Sequence, residues 1–252
     1  MKAIIIAAGL GSRLLPLTKD TPKSMLPVRG KPMLHYALSH FIANSITDVS
    51  IVVGYAAEKI RQNTPYPVTF FHNTRYAQNN ILHSLFTASQ KMDGEFICSY
   101  ADIIYDAFVL QALLASKEDI SVVIDIDWQK NYIGRSRHPD TEAEKVICAG
   151  NRISHIGKYV PTPHATGEFI GMAKFSAKGA QIWKEVFADA QKRYALTTPF
   201  QHAAIFEKAY LTDLFQELID RGFSVHAVLI QGGWREIDTY EDYLRAGGDL
   251  RI

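Results

Sequence analysis

Cysteine is scarce in this sequence: Cys98 and Cys148 are the two among 252 residues. Both stand in apolar stretches with no CxxC pair and no histidine at ligand spacing, which excludes a disulfide framework and a zinc site and fits a reducing cytoplasm. Long hydrophobic runs are missing too. The N-terminal run Ala3 to Leu10 is too short to span a bilayer, and the polar residues after it do not form a signal-peptide cleavage region, so a cytoplasmic protein with no membrane partner is expected. Neither sign of charge is in excess. Lys plus Arg number 27 against 26 Asp plus Glu, a net charge of +1, without the basic surplus that drives sequence-independent nucleic-acid binding. Repeats and low-complexity tracts are absent. What remains, 47% hydrophobic and 21% charged residues, suits a folded chain with a substantial core.

The first eight residues form an apolar run that stops at Gly9, as a strand buried on both faces of a parallel sheet would. Further apolar runs lie at 49–53, 68–71, 95–99 and 120–126, separated by helical spacing at 33–43, 56–62, 81–92 and 107–116. This alternation predicts an α/β fold with a doubly wound, mostly parallel, Rossmann-like sheet. The rhythm changes after Asp127. Residues 128–166 are rich in Gly, Pro, His, Arg and Lys, with short strand candidates at 145–149 and 152–156, and are predicted to be an insertion closing over one end of the sheet. A strand at 169–175, helices at 177–193 and 202–221, a strand at 225–230 and a last helix from Tyr240 complete one domain over 1–252.

The most informative stretch is Ala7-Ala-Gly-Leu-Gly-Ser-Arg-Leu-Leu-Pro-Leu-Thr18, followed by Thr21-Pro-Lys-Ser-Met-Leu-Pro-Val28. Small residues at Ala8, Gly9 and Gly11 let backbone N–H groups approach phosphate oxygens, and Arg13 and Lys23 can bring positive charge to the same anion. The pattern is a phosphate cradle. It is neither a dinucleotide fingerprint, since Leu14 stands where the third glycine belongs, nor a P-loop, since no Gly-Lys-Ser/Thr ends it.

The string from Gly9 to Leu34, GLGSRLLPLTKDTPKSMLPVRGKPML, resembles the signature of the nucleotidyltransferase superfamily that contains sugar-phosphate nucleotidylyltransferases and bacterial choline-phosphate cytidylyltransferases. The likeness extends to Val52-Val-Gly-Tyr55, to Phe71 through Leu85, to Tyr100-Ala-Asp102 and to Glu236-Ile-Asp238, and so covers most of the chain. It implies a fold of the GT-A-like type, with Asp102 and Asp238 holding Mg²⁺. On position alone, Asp238 could instead N-cap the last helix. The implied chemistry is attack of an oxygen nucleophile on the α-phosphorus of CTP with loss of pyrophosphate. In that chemistry Arg13 neutralises the outer phosphates, and Lys23 reaches the α-phosphate or the attacking anion. Base choice falls to Ala8, Gly9, Asn79, Asn80 and Ser84, with Tyr100 and Ala101 near the ribose; one of the two asparagines can equally cap the helix that begins at Ile81.

The acceptor is read from the insertion and its surroundings. Asp125 through Arg135, Arg137-His-Pro139, Glu142 through Val146 and Gly167 through Phe175 resemble cytidylyltransferases of phosphonate biosynthesis, which implies 2-aminoethylphosphonate as acceptor. A phosphonate dianion calls for cations, with Arg135, Arg137 and Lys145 as candidates beside His138 and Lys158. A terminal amine calls for a carboxylate such as Asp125, Asp127 or Glu168. Trp128, Tyr132, Phe169 and Trp234 offer faces for a quaternary ammonium, although plain packing suits Trp128 better. Phosphocholine ranks second as acceptor and a sugar 1-phosphate third. A regulatory nucleotide-binding subunit should have lost Lys23 or a metal carboxylate, and none is lost. The sequence leaves monomer and homodimer open.

Overall fold

The computed structural model describes residues 1–246; residues 247–252, counted into the domain above, lie outside the described residues. In chain order the strands are β1 (Lys2–Ala7), β2 (Pro27–Val28), β3 (Lys31–Pro32), β4 (Asp48–Val53), β5 (Thr69–His72), β6 (Phe96–Tyr100), β7 (Ile103–Tyr105), β8 (Ile120–Asp125), β9 (Lys145–Ala149), β10 (Arg152–Gly157), β11 (Gly167–Phe175), β12 (His226–Ile230) and β13 (Trp234–Glu236). The helices are α1 (Met33–Ala43), α2 (Ala57–Gln62), α3 (Ile81–Phe86), α4 (Ala107–Ala115), α5 (Gln129–Tyr132), α6 (Ala177–Arg193), α7 (Leu211–Asp220) and α8 (Tyr240–Arg245).

Nine strands form one sheet in the order β5-β4-β1-β6-β11-β8-β12-β10-β9. β1 lies parallel to both β4 and β6, and Ala3, Ile4 and Ile5 are wholly buried, which is why the sequence there reads as an unbroken apolar run. The chain builds from β1 outward through β4 to β5, then returns to place β6 on the other side of β1. That reversal opens a crevice at the carboxyl ends of β1 and β6, the usual ligand position in open α/β sheets.

The sheet is mixed but mostly parallel in strand direction: seven of its nine strands run one way, and β10 and β11 run against them. β8 ends at Asp125, the insertion leaves and returns at that same end, and β11 therefore starts opposite it, with Glu168 in register with Asp125, and runs antiparallel to both β8 and β6. Within the insertion, β9 and β10 pair antiparallel and extend the sheet, β9 also pairing with β11. Helices cover the sheet as their apolar spacing predicts. In α6, Ser176 caps the start by accepting from Gly179 N at 3.0 Å, and Trp183 packs on Phe215 of α7 with ring centroids 4.7 Å apart.

Several predicted bounds shift. The helix expected over 81–92 stops at Phe86 and resumes as a short 3₁₀ turn, Ser89–Lys91. The one expected from His202 starts at Leu211, where the side chain of Asp213 accepts from Tyr210 N at 2.7 Å and so satisfies the helix entrance. Cys98 on β6 and Cys148 on β9 are free thiols, and burial pushes their pKa values up to about 12 and about 11. Among the described residues no helix is long and apolar enough to cross a membrane.

Candidate active site

Two elements too short to read from the sequence carry the site. β7 and β13 pair antiparallel with Glu236 opposite Ile103, and Ile237 N donates to Asp102 O at 3.0 Å, so the loops bearing Asp102 and Asp238 meet at the crevice. Lys23 enters between them from a 3₁₀ turn, Lys23–Met25. Its Nζ donates to Asp102 Oδ2 at 2.7 Å and to Asp238 Oδ1 at 2.5 Å. Gly11 makes this approach feasible: its φ is +63°, and a Cβ there would lie 2.9 Å from Lys23 Cβ. Arg13 donates to Asp238 Oδ2, and His138 Nδ1 stands 2.9 Å from the same oxygen.

The electrostatics follow from burial. Desolvation works against the Lys23 ammonium, yet the carboxylates of Asp102 and Asp238 outweigh it and hold its pKa above the ordinary value. Desolvation likewise opposes ionised Asp238, but Lys23, His138 and Arg13 draw its pKa well below the usual carboxylate range. Glu236 moves the other way: burial, then the charges of Asp238 and Asp102, raise it well above a normal glutamate. Asp102 Oδ1 is buried and has no hydrogen-bond partner among the described residues. Such an orphaned hard oxygen, beside a second carboxylate, fits a divalent cation of the Mg²⁺ type held by Asp102 and Asp238. Ligand atoms of His138, Glu236 and Asp238 also fall within 4.8 Å of one another.

On the β1 side, Gly9, Lys23, Ala101 and Asp102 share a small recess of about 50 Å³. Ala8 O accepts from Tyr55 N at 3.2 Å, and Ala101 N donates to Ile6 O at 3.2 Å. Asn79 and Ser84 are joined through Asn73, whose amide donates to Asn79 Oδ1 at 2.8 Å and to Ser84 Oγ at 2.9 Å. Asn73 is buried and was not singled out from the sequence; its position just past β5, ahead of the two asparagines, was the available signal. Asn80 occupies the N-cap of α3 without a side-chain cap bond, its amide donating instead to Lys208 O at 3.0 Å. At the last helix the cap is Thr239, which accepts from Asp242 N; Asp238 is left free of that task.

A cavity of about 220 Å³ adjoins the metal carboxylates. Asp102, Asp238, Glu142, Glu144, Glu168 and Glu236 line it, against Arg13, Lys158 and His138. The aromatic walls are Tyr100, Phe169, Tyr210 and Trp234. Tyr100 reaches its place because Gly171, at φ +85°, leaves the room that a Cβ would take at 2.3 Å from the ring. The Tyr100 hydroxyl donates to Glu144 Oε2 and that of Thr212 to Glu144 Oε1, both at 2.9 Å. Tyr132 donates to Glu168 Oε1 at 2.5 Å, while Glu168 Oε2 is buried without a partner among the described residues. Burial pushes the Glu168 carboxyl up to about 8, against the opposing pull of the Tyr132 hydroxyl.

Of the acceptor candidates, the structure brings Glu168, His138, Lys158, Phe169 and Trp234 to this cavity and leaves Asp125, Asp127, Trp128, Tyr132, Arg135, Arg137 and Lys145 outside its lining. Asp125 is fully buried, its Oδ1 accepting from Asp127 N and Gly232 N and its Oδ2 from Trp234 Nε1, so it organises the loop before β13. Trp128 is buried edge-on against Tyr132, centroids 5.5 Å apart. Arg135 turns away to Asp242, with Nε 2.8 Å from Oδ1, and stands 3.6 Å from Glu236. Arg137 is exposed and outside the lining. Lys145 is buried under its own loop, Nζ donating to Asp140 O and Ala143 O at 3.2 Å. The residues not singled out from the sequence are Glu142, Glu144 and Tyr210; an acid directly ahead of the strand at 145 was the clue to Glu144.

An α/β crevice in which a glycine loop, a lysine and two distant aspartates converge defines a nucleotidyl-transfer site. The chain belongs to the nucleotidyl transferase family, whose profile matches residues 2–131. It is 33% identical to the CTP:phosphoglutamine cytidylyltransferase of Campylobacter jejuni, over 96% of this chain and 97% of that one. It is 36% identical to the 2-aminoethylphosphonate cytidylyltransferase of Lancefieldella rimae, over 75% and 73%. Among solved structures, the CTP:phosphocholine cytidylyltransferase of Streptococcus pneumoniae superposes with a TM-score of 0.73 at 22% identity, covering 98% of this chain and 97% of that one, which shows a shared fold.

Proposed function

We propose that the chain is a CTP-dependent cytidylyltransferase that transfers CMP to a small zwitterionic phosphonate, 2-aminoethylphosphonate in the first instance, and releases pyrophosphate. One observation carries this reading: Lys23 is gripped by Asp102 and Asp238 at the edge of a small cavity that six carboxyls line. A phosphonate oxygen attacks the α-phosphorus, the bond from that phosphorus to the bridging oxygen of the β-phosphate breaks, and the pair departs with pyrophosphate. Lys23 stabilises the charge that grows on the equatorial oxygens, and Arg13 steadies the leaving group. Mg²⁺, when held by Asp102 and Asp238, would supply neutralisation of the phosphate oxygens. Ala8, Gly9 and Gly11 bring backbone N–H groups to the triphosphate, and the Asn73–Asn79–Ser84 network offers a fixed set of polar groups for the base.

The cavity volume lies below the roughly 300–1,000 Å³ of drug-sized sites, which supports a compact acceptor. A second reading, a phosphorylated amide of an amino acid, is favoured by the near full-length likeness to the Campylobacter enzyme. Pyrophosphate release from CTP with 2-aminoethylphosphonate, phosphoglutamine and phosphocholine, each with UTP as the control donor, tests the assignment. Turnover with 2-aminoethylphosphonate should exceed the others, and turnover with UTP alone would overturn the choice of donor.

A further inference from the structure

Resting on the assignment of the acid-lined cavity to the acceptor, we propose that Glu168 Oε2 is a specificity determinant. It would accept a hydrogen bond from the N–H of a primary ammonium and so reject quaternary ammonium acceptors. Three of the four oxygens in the Glu144 and Glu168 carboxyls already have hydroxyl donors: Tyr100 and Thr212 on Glu144, and Tyr132 on Glu168. The fourth, Glu168 Oε2, is buried and has no partner among the described residues, and it belongs to a side chain that lines the cavity. Burial keeps this carboxyl protonated up to about pH 8 without a ligand, and a cation brought to Oε2 draws its pKa down, so the oxygen accepts from an ammonium N–H as the acceptor binds. Trimethylammonium carries no N–H. Its methyls could rest on Phe169 or Trp234, but the Glu168 oxygen would then remain unpaired, and sites with a stranded buried polar atom discriminate strongly against the ligand that strands it.

Phosphoethanolamine and phosphocholine share one phosphate ester and differ only in three methyl groups, which makes them the probe pair. For the wild-type protein kcat/KM should favour phosphoethanolamine by about 10² or more. Glu168→Gln keeps the shape, and because the Tyr132 hydroxyl retains the carbonyl of the new amide, its NH2 faces the cavity and meets the ammonium donor to donor. The ratio should fall below about ten. Tyr132→Phe, which frees Glu168 to turn, should lower the ratio by a smaller factor, and it serves as the test should the glutamine variant not fold. Dissociation constants of the two amines, measured by calorimetry on the same proteins, should follow the same order. Wild-type turnover of both esters at equal kcat/KM overturns the proposal and leaves the cytidylyltransferase reading standing. An unchanged ratio in both variants overturns the role of Glu168. No turnover of either ester or of 2-aminoethylphosphonate overturns both.

Discussion

Lys23 is a buried cation whose partners are both carboxylates, so the three side chains form one electrostatic unit. Lys23→Ala should lower kcat by about 10² or more, because positive charge aimed at a pentavalent phosphorus acts mainly in the transition state. Asp102→Asn and Asp238→Asn should likewise abolish Mg²⁺-dependent turnover while circular dichroism stays that of the parent; full activity in either variant would remove the metal assignment. Glu168 yields a prediction of another kind. Its carboxyl titrates at about 8 in the folded chain against an ordinary value of 4.5, so between those pH values the unfolded state has lost a proton that the folded state keeps. Stability from this group is full below 4.5 and is lost as pH rises through 8. The melting temperature of wild type relative to Glu168→Gln should therefore fall between pH 5 and pH 8.5, and parallel profiles would contradict it. At this scale the sequence made Lys23, Asp102 and Asp238 legible, because motif and chemistry pointed to the same residues. Asn73 and Glu144 were not legible, since each owes its position to a partner far along the chain or to a strand register.

At the scale of elements, long apolar periods were readable and short pairings were not. The helix at 33–43 and the strand at 145–149 match the expected bounds, because burial of one stripe or one run fixes them. β7 and β13, three residues each, carry no period at all, yet their pairing joins the two aspartate loops. The insertion is similarly tied by α8. Arg135 pairs with Asp242, Arg245 donates to Ile133 O at 3.0 Å and to Gly134 O at 2.6 Å, and Glu241 accepts from Ser136 N at 2.9 Å. The Arg135 and Asp242 side chains are only 4% and 5% exposed, so removing one leaves a buried charge. Arg135→Ala should cost about 3 kcal/mol, which in a chain of this length lowers the melting temperature by about 10 °C. Exposed Arg137→Ala should change it little. Equal melting temperatures for the two variants would show that the clasp between insertion and α8 adds no stability.

Across the whole molecule, a near-neutral composition conceals a strongly uneven distribution. The sequence gives +1 overall and led to the expectation of an Arg and Lys cluster for the acceptor; the fold instead gathers six carboxyls around one cavity against two permanent cations and a histidine. Such segregation cannot be read from a sum of charges, because it depends on which ends of β6, β9, β11 and β13 meet. A dianionic acceptor without a compensating cation would enter this cavity against the field of its walls, whereas a zwitterion presents its ammonium to them and its phosphonate to Arg13 and Lys23. Glucose 1-phosphate is the informative competitor, since sugar-phosphate enzymes share the fold. With saturating CTP and Mg²⁺, kcat/KM for 2-aminoethylphosphonate should exceed that for glucose 1-phosphate by about 10² or more, in line with the discrimination that unpaired buried groups and like charges impose. Raising the salt concentration should narrow the gap only modestly, because Glu144 and Glu168 are buried and the other four carboxyls are partly shielded from solvent. A gap that closed with salt would place the selection at the cavity mouth, and comparable turnover of the sugar phosphate at low salt would show that the acid lining does not choose the acceptor.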